Sequence, residues 1–283
     1  MEVAEDDTSV IIKGQSFTYT YSKKNGMFES LVFAGREYIN SPMELNIWRA
    51  PTDNDMYAKV EWKKAKYNEA YVRAYETDII QSEKYVEILV KTSMSAASIQ
   101  KILDANIIWR IDCMGAITSS IHVIKDEEFP DLPRFGIRLF LDKKLENISY
   151  FGMGPYESYR DKHHSTSHGI YRAKLSEMHE DYINPQENGS HYDCDYVELA
   201  NGQFGIAAAA KETFSFNASV YTQEELERAT HNFELVESDS TVLCLDYALN
   251  GIGSNSCGPV VIDKYRFNDT EFYFEIRIIP FVK

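Results

Sequence analysis

Cysteine is scarce in this chain, and what there is lies scattered. The 283 residues hold four, Cys113, Cys194, Cys244 and Cys257, far apart and without C-x-x-C spacing. That pattern argues against a thiolate zinc site and against a disulfide framework, so most of the four read as small core residues. Long apolar runs are missing as well: none approaches the roughly 20 residues of a membrane-spanning helix. Basic residues are outnumbered, 29 Lys and Arg against 44 Asp and Glu, giving a formal net charge of −15. A field of that sign repels nucleic acid and anionic membranes, and neither is expected as a partner. The acidic excess is spread along the chain rather than gathered in a tail, which makes it a solvated surface. The opening MEVAEDDTSV is acidic where a secretory signal would be basic and then apolar, so a cytoplasmic location is expected. No period of 20–50 residues repeats, which excludes solenoids and propellers.

Aromatic residues, by contrast, are plentiful: 19 Tyr, 15 Phe and 3 Trp. Such a load suits half-buried pleats. Phe17, Tyr19 and Tyr21 alternate, Asn25-Gly26 follows, and then come Phe28, Leu31 and Phe33. Asn-Gly between apolar runs predicts a hairpin with a type I′ turn, whose two central residues need positive φ. Between Met56 and Tyr75 the period changes, with Val60, Lys64, Tyr67, Tyr71 and Ala74 three or four apart, as on one face of a helix. Strand patterns then resume: KYVEILVKTSM, IIWRIDCMGAITSSIHVI, FGIRLFLD, NISYFGMG, FGIAAAA, FSFNASVY, TVLCLDYAL and EFYFEIRIIPF. Thr222 and Glu225 have capping-box spacing and predict one short helix. A dozen or more strands with so few helices must stack two sheets or close a barrel, because each sheet has an apolar face to bury. The expectation is an all-β fold: a large antiparallel β-sandwich formed by residues 1–283 as a single domain. Residues 1–9 are left open as a flexible boundary or an artificial start.

Four stretches are too polar and too punctuated by Gly and Pro to be core: NIWRAPTDND, YFGMGPYESYRDKHH, YINPQENGSHYDCDYVEL and GIGSNSCGP. Glycoside hydrolysis needs two carboxyl groups a fixed distance apart, and Asp53, Asp55, Glu157, Asp161, Glu187 and Glu198 are all candidates. Each sits near Arg, Asn or turn residues that would satisfy it structurally, and spacing alone pairs none of them. An EF-hand loop starting at Asp53 fails, since its sixth and twelfth positions would be Ala58 and Lys64. His163, His164 and His168 lie among Ser and Thr, which reads as a solvated loop. No phosphate-loop motif and no G-x-S-x-G elbow is present. No metal or cofactor is expected in this chain.

Taken together and in order, WRAPTDND, PRFGIRLFL, GMGPYESYRD, PQENGSHYDCDYVEL and GIGSNSCGP resemble the C-terminal domain of β-galactosidases of glycoside hydrolase family 2. In some bacteria that segment is a separate small subunit. The resemblance runs from about residue 10 to the end. It implies a galactose-mutarotase-like β-supersandwich whose loops reach the mouth of an active site. The acid/base and nucleophile glutamates of that family belong to a (β/α)8 barrel, which needs about 250 residues of its own. This chain has no room for one, so no catalytic residue is expected in it, and it is expected to be inactive alone. The expected partners are the barrel-bearing remainder or large subunit and a β-galactoside substrate such as lactose, with a homo-oligomer left open. Full enzymes of the family often use Mg or Na ions, bound mainly elsewhere.

By the same resemblance, Arg49, Asp53, Asn54, Asp55, Met56 and Tyr57 form an active-site loop and its bracing. Asn255, Ser256 and Cys257 line the sugar, with Cys257 standing where some relatives carry a stacking tryptophan. Glu157, Tyr159, Arg160, Glu187 and Asn188 buttress loops or an interface. Two other readings differ in what they require: an aldose epimerase needs a converging His and Glu, and a carbohydrate-binding module needs an exposed aromatic platform.

Overall fold

Alternating aromatics build the first sheet. β1 (Glu2–Glu5), β2 (Ser9–Lys13), β3 (Phe17–Ser22), β4 (Met27–Phe33) and β5 (Arg36–Glu37) pair in that order, all antiparallel, in a computed structural model that describes residues 1–253 and 258–283. Phe17, Tyr19 and Tyr21 face inward as their spacing predicts, and Phe28 and Leu31 join them. The hairpin between β3 and β4 forms, but not with the expected two-residue turn. Lys23 to Gly26 make a four-residue loop in which Gly26 alone has positive φ (74°). Asn25 instead uses its side-chain oxygen to accept from the Met27 amide at 3.1 Å, the local bond that favours Asn in turns.

Twelve further strands form a branched second sheet. They are β6 (Ile39–Asn46), β7 (Tyr71–Gln81), β8 (Tyr85–Ser95), β9 (Leu103–Asp112), β10 (Ile117–Lys125), β11 (Arg134–Asp142), β12 (Asn147–Gly154), β13 (Ser167–Lys174), β14 (Ser190–Ala200), β15 (Phe204–Ser219), β16 (Ser240–Leu249) and β17 (Glu271–Val282). The main path runs β13-β12-β14-β15-β17-β10-β9-β8-β7. At β15 it forks. Phe204–Ala209 pair with β17, whereas Ser215–Ser219 pair with β16, which leads on to β11 and β6. FGIAAAA and FSFNASVY, read in sequence as two strands, are thus one. The polar Lys211-Glu212-Thr213 between them stays extended and exposed where the strand changes partners.

The wing β7–β10 turns one face inward onto the first sheet. Trp109, fully buried, donates from its indole nitrogen to Gly26 O at 2.9 Å and meets Phe28 edge-on at 5.2 Å. Val86, Ile88, Ile107 and Ile121 line the same interior. Each such buried side chain contributes roughly 1.5–3 kcal/mol, so the two sheets are held by area rather than by any one contact.

Helices are few. The stripe predicted over Met56–Tyr75 is helical only in α1 (Ala58–Lys64), with one 3-10 turn at Tyr67–Glu69. Lys66 takes a left-handed conformation (φ 55°) and ends the helix, and Tyr71 onward pairs with β8. Of the stripe, Tyr67 is buried, but Val60 is 58% exposed, and on the helix itself Trp62 is buried instead. A two-turn helix has little stability of its own, and the ladder with β8 wins the rest of the segment. The second helix, α2 (Gln223–Arg228), is where the sequence puts it, with Thr222 Oγ1 accepting from the Glu225 amide at 3.1 Å. Among the described residues no helix is long and apolar enough to cross a membrane.

Candidate functional site

Arg49 leaves the end of β6 with its side chain fully buried. One terminal nitrogen donates to Asp55 Oδ1 at 2.8 Å, the other to Asn250 O at 2.5 Å, and the guanidinium lies 5.2 Å from the ring centre of Trp62. Asp55 is reached because Thr52–Asp55 is one tight turn. The Asp55 amide donates to Thr52 O at 2.9 Å, and Asp55 Oδ2 accepts from the Thr52 amide at 2.8 Å. The two middle residues of the turn point elsewhere. Asp53 accepts from Asn184 Nδ2 (2.8 Å) and Gln186 Nε2 (3.2 Å), while Asn54 Nδ2 donates to Ile252 O at 2.7 Å. One short segment is therefore tied to both the 184–187 loop and the 250–252 loop. Met56 and Tyr57, which follow, make no such bonds and are 41% and 60% exposed.

The 155–162 segment joins the same cluster. Glu157 accepts from Lys162, from Tyr182 Oη (2.7 Å) and from the Gly189 amide (2.9 Å). Asp161 accepts from the amides of Ile252 (3.1 Å) and Gly253 (2.8 Å), and Arg160 donates to Arg266 O at 2.7 Å. Tyr159 packs on Leu249 and Ile252. Asn188 donates to Gln186 O and accepts from the Glu180 amide, and Asn217 Nδ2 donates to Asn188 O at 2.5 Å. Gly189 of the same motif has φ 70°, and a Cβ there would come within 2.1 Å of Met178 O, so only glycine fits.

Beneath the loops lies a second buried ion cluster that the spacing of the motifs does not reveal. Arg134, at the start of β11, holds Asp246 of β16 with two bonds (3.0 and 2.5 Å) and Glu187 with one (3.3 Å), all three side chains being essentially inaccessible. Burial raises the pKa of both Glu187 and Asp246, and Arg134 pulls each back down. Arg134 was visible in PRFGIRLFL, but Asp246 was hidden in TVLCLDYAL, where one acid in an apolar strand was the only signal. Two guanidinium groups, Arg49 and Arg134, thus face the three acids Asp55, Asp246 and Glu187. Three buried polar atoms of this region, Arg49 Nε, Tyr159 Oη and Glu187 Oε1, have no partner among the described residues.

Each of the six acids weighed as a catalytic pair is engaged. Five belong to this loop network, and Glu198 lies on β14 with Lys283 at 3.5 Å. A hollow of about 210 Å3 opens beside the network, lined by Asn54, Asp55, Ala58, Asp131, Asn250 and Arg266. Asn255, Ser256 and Cys257, expected to line a sugar, lie outside the described residues. Among the described residues no group of three or more His, Cys, Asp or Glu is placed to hold a metal ion.

A family model described as the beta galactosidase small chain matches residues 13–278. A beta-galactosidase of Actinobacillus pleuropneumoniae is 45% identical over 278 residues, covering 98% of this chain and 27% of the relative. One from Staphylococcus xylosus is 34% identical over 283 residues, covering 98% of this chain and 28% of the relative. The chain spans little more than a quarter of these relatives' length. Among solved structures, a galactose 1-epimerase from Lactobacillus acidophilus superposes with a TM-score of 0.53 at 5% identity, over 99% of this chain and 96% of that one. A galactose mutarotase-like protein from Lactobacillus casei gives 0.51 at 10% identity, over 97% and 100%. At those identities the likeness is one of fold.

Proposed function

The chain belongs to the β-galactosidase small-chain family, and from that premise we propose that it completes a β-galactosidase by presenting a braced set of loops to the active-site mouth. On this reading the catalytic glutamates lie in the barrel-bearing part, and cleavage of β-galactosides such as lactose follows when the two parts are together. The observation that carries it is the use made of the acids. Asp53, Asp55, Glu157 and Asp161 each spend both oxygens on an arginine, a lysine, an amide or a side-chain donor within the cluster, and Glu187 spends one on Arg134. Carboxylates so engaged hold loops in register; a general acid or nucleophile must face substrate.

Exposed apolar side chains around the cluster support a partner surface. Tyr57 and Val60 stand on one side, and Ile183 and Phe233 on another, linked to the loops by the Asn232 amide bonding Ile183 O at 3.1 Å. Met56 and Tyr57 are the residues of the loop left free to reach across. Residues 1–283 act as one unit, because the loops they bring together come from positions 49 to 266.

Complementation tests this reading. The chain alone should not cleave a chromogenic β-galactoside. Mixed with a family member truncated to lack this region, it should restore cleavage, and an absence of any gain would sink the reading.

A further inference from the structure

We propose that the outer face of β9, β10 and β17 carries a saccharide-binding groove, separate from the loop cluster. The fork in the sheet creates it. β15 leaves β17 after Ala209 and meets β16 only at Ser215. In between, Lys211, Glu212 and Thr213 stand over the outward side of β17, and a groove of about 420 Å3 opens there. That is within the roughly 300–1,000 Å3 typical of small-molecule sites.

Register puts the lining together. Asn106, His122 and Tyr273 form one cross-strand row, and Ile108, Ser120 and Glu275 the next. Tyr273 lies parallel to the His122 imidazole, 4.3 Å between centres and 3° between planes, and His122 Nε2 is 2.7 Å from Glu271 Oε1. The histidine so fixed backs one face of the tyrosine ring, and Tyr273 is still 68% exposed. Glu275 is steadied by Ser120 Oγ, which donates at 3.0 Å.

A pyranose offers an apolar C–H face and, around it, hydroxyls that both donate and accept. The groove offers a flat ring for the first and carboxylates, an amide and an ammonium group for the second. Glu212 and Glu275 in the lining, with Glu271 behind His122, outweigh Lys211 and make it unfavourable for phosphates and other anions. A neutral mono- or disaccharide is the ligand class that fits.

The three tryptophans, Trp48, Trp62 and Trp109, are all buried, so tryptophan fluorescence is the wrong probe. Saturation-transfer-difference NMR of the 283-residue chain with methyl β-galactoside, lactose and cellobiose is the right one. Saturable transfer is expected to at least one of these sugars. Tyr273→Ala should weaken it by about tenfold or more, about 1.4 kcal/mol, with an unchanged thermal midpoint and unchanged complementation. No saturable transfer from any of the three, or equal transfer in Tyr273→Ala, overturns the proposal. So does loss of complementation in Tyr273→Ala, which would make the face a protein interface. If the unaltered chain binds sugar but fails to complement, only the reading of the loop cluster falls.

Discussion

Arg49 and Asp55 are six residues apart in sequence and 2.8 Å from each other, and both side chains are buried. Neither is catalytic in form: the guanidinium also serves Asn250 O, and the carboxylate also serves the Thr52 amide. Arg49→Met should destabilise the chain by about 3–5 kcal/mol, the usual effect of leaving one member of a buried pair alone. Arg49→Lys should not rescue it, since one ammonium cannot span Asp55 and Asn250 O as the planar fork does. Urea unfolding of the three proteins measures this, and a lysine variant as stable as the parent would contradict it.

Asp246→Leu should cost a similar amount, because Arg134 would keep only its longer contact to Glu187. The double variant Arg134→Met/Asp246→Leu should cost less than the two single changes added together, by on the order of 1–3 kcal/mol, as contacting residues do. A double-variant cycle in urea reads the coupling directly. Strict additivity would mean that the two side chains do not act as a pair.

Tyr159→Phe tests the opposite kind of residue. Its hydroxyl is buried, has no partner among the described residues, and is pushed well above its ordinary pKa by burial. Removing a buried hydroxyl that makes no bond should be neutral or stabilise by about 1 kcal/mol. A loss of more than that, read as a drop in melting temperature, would show that the hydroxyl has a partner in solution.

His191 sets an acid limit. Its ring stacks on Phe216 at 5.1 Å with Nδ1 3.1 Å from Met153 O, and burial lowers its pKa from 6.5 to about 4. Between those values the unfolded chain binds a proton that the folded chain does not. The stability is therefore complete above pH 6.5 and lost as pH falls towards 4, by up to about 3 kcal/mol. Glu187 and Asp246, raised by burial, hold protons more tightly folded than unfolded, so they work in the opposite sense as pH falls. His191→Gln should flatten the decline of the urea midpoint between pH 6.5 and 4, and an unchanged slope would place the acid sensitivity elsewhere.

Strand identity was legible wherever alternation was strict, as at Phe17, Tyr19 and Tyr21. It failed at Tyr71 and Ala74, where a helical period arose by coincidence and an edge strand buries too little to show its own. The cut between Ala210 and Phe214 failed for a related reason: exposed polar residues in mid-strand look like a loop unless the fork is known. Of the candidate site, motif composition gave away the loops but not their mates. That Asp53 would meet Asn184 and Asp161 the amides of Ile252 and Gly253 depends on contacts about 90 to 130 residues apart, which no local pattern encodes. Asp246 is the plainest case, a buried charge whose only trace was its oddness among Leu and Cys.

β17 has a bearing on how the chain is made. It lies between β15 and β10, and among the described residues it alone joins the wing β10-β9-β8-β7 to the remainder in the hydrogen-bonded path of the sheet. Ribosomal synthesis delivers residues 271–282 after every strand they bridge. The wing can pack on the first sheet before then, through Trp109 and Gly26, but its edge at β10 cannot pair with the forked half until β17 arrives. Closure of the large sheet is thereby tied to the arrival of a single late strand.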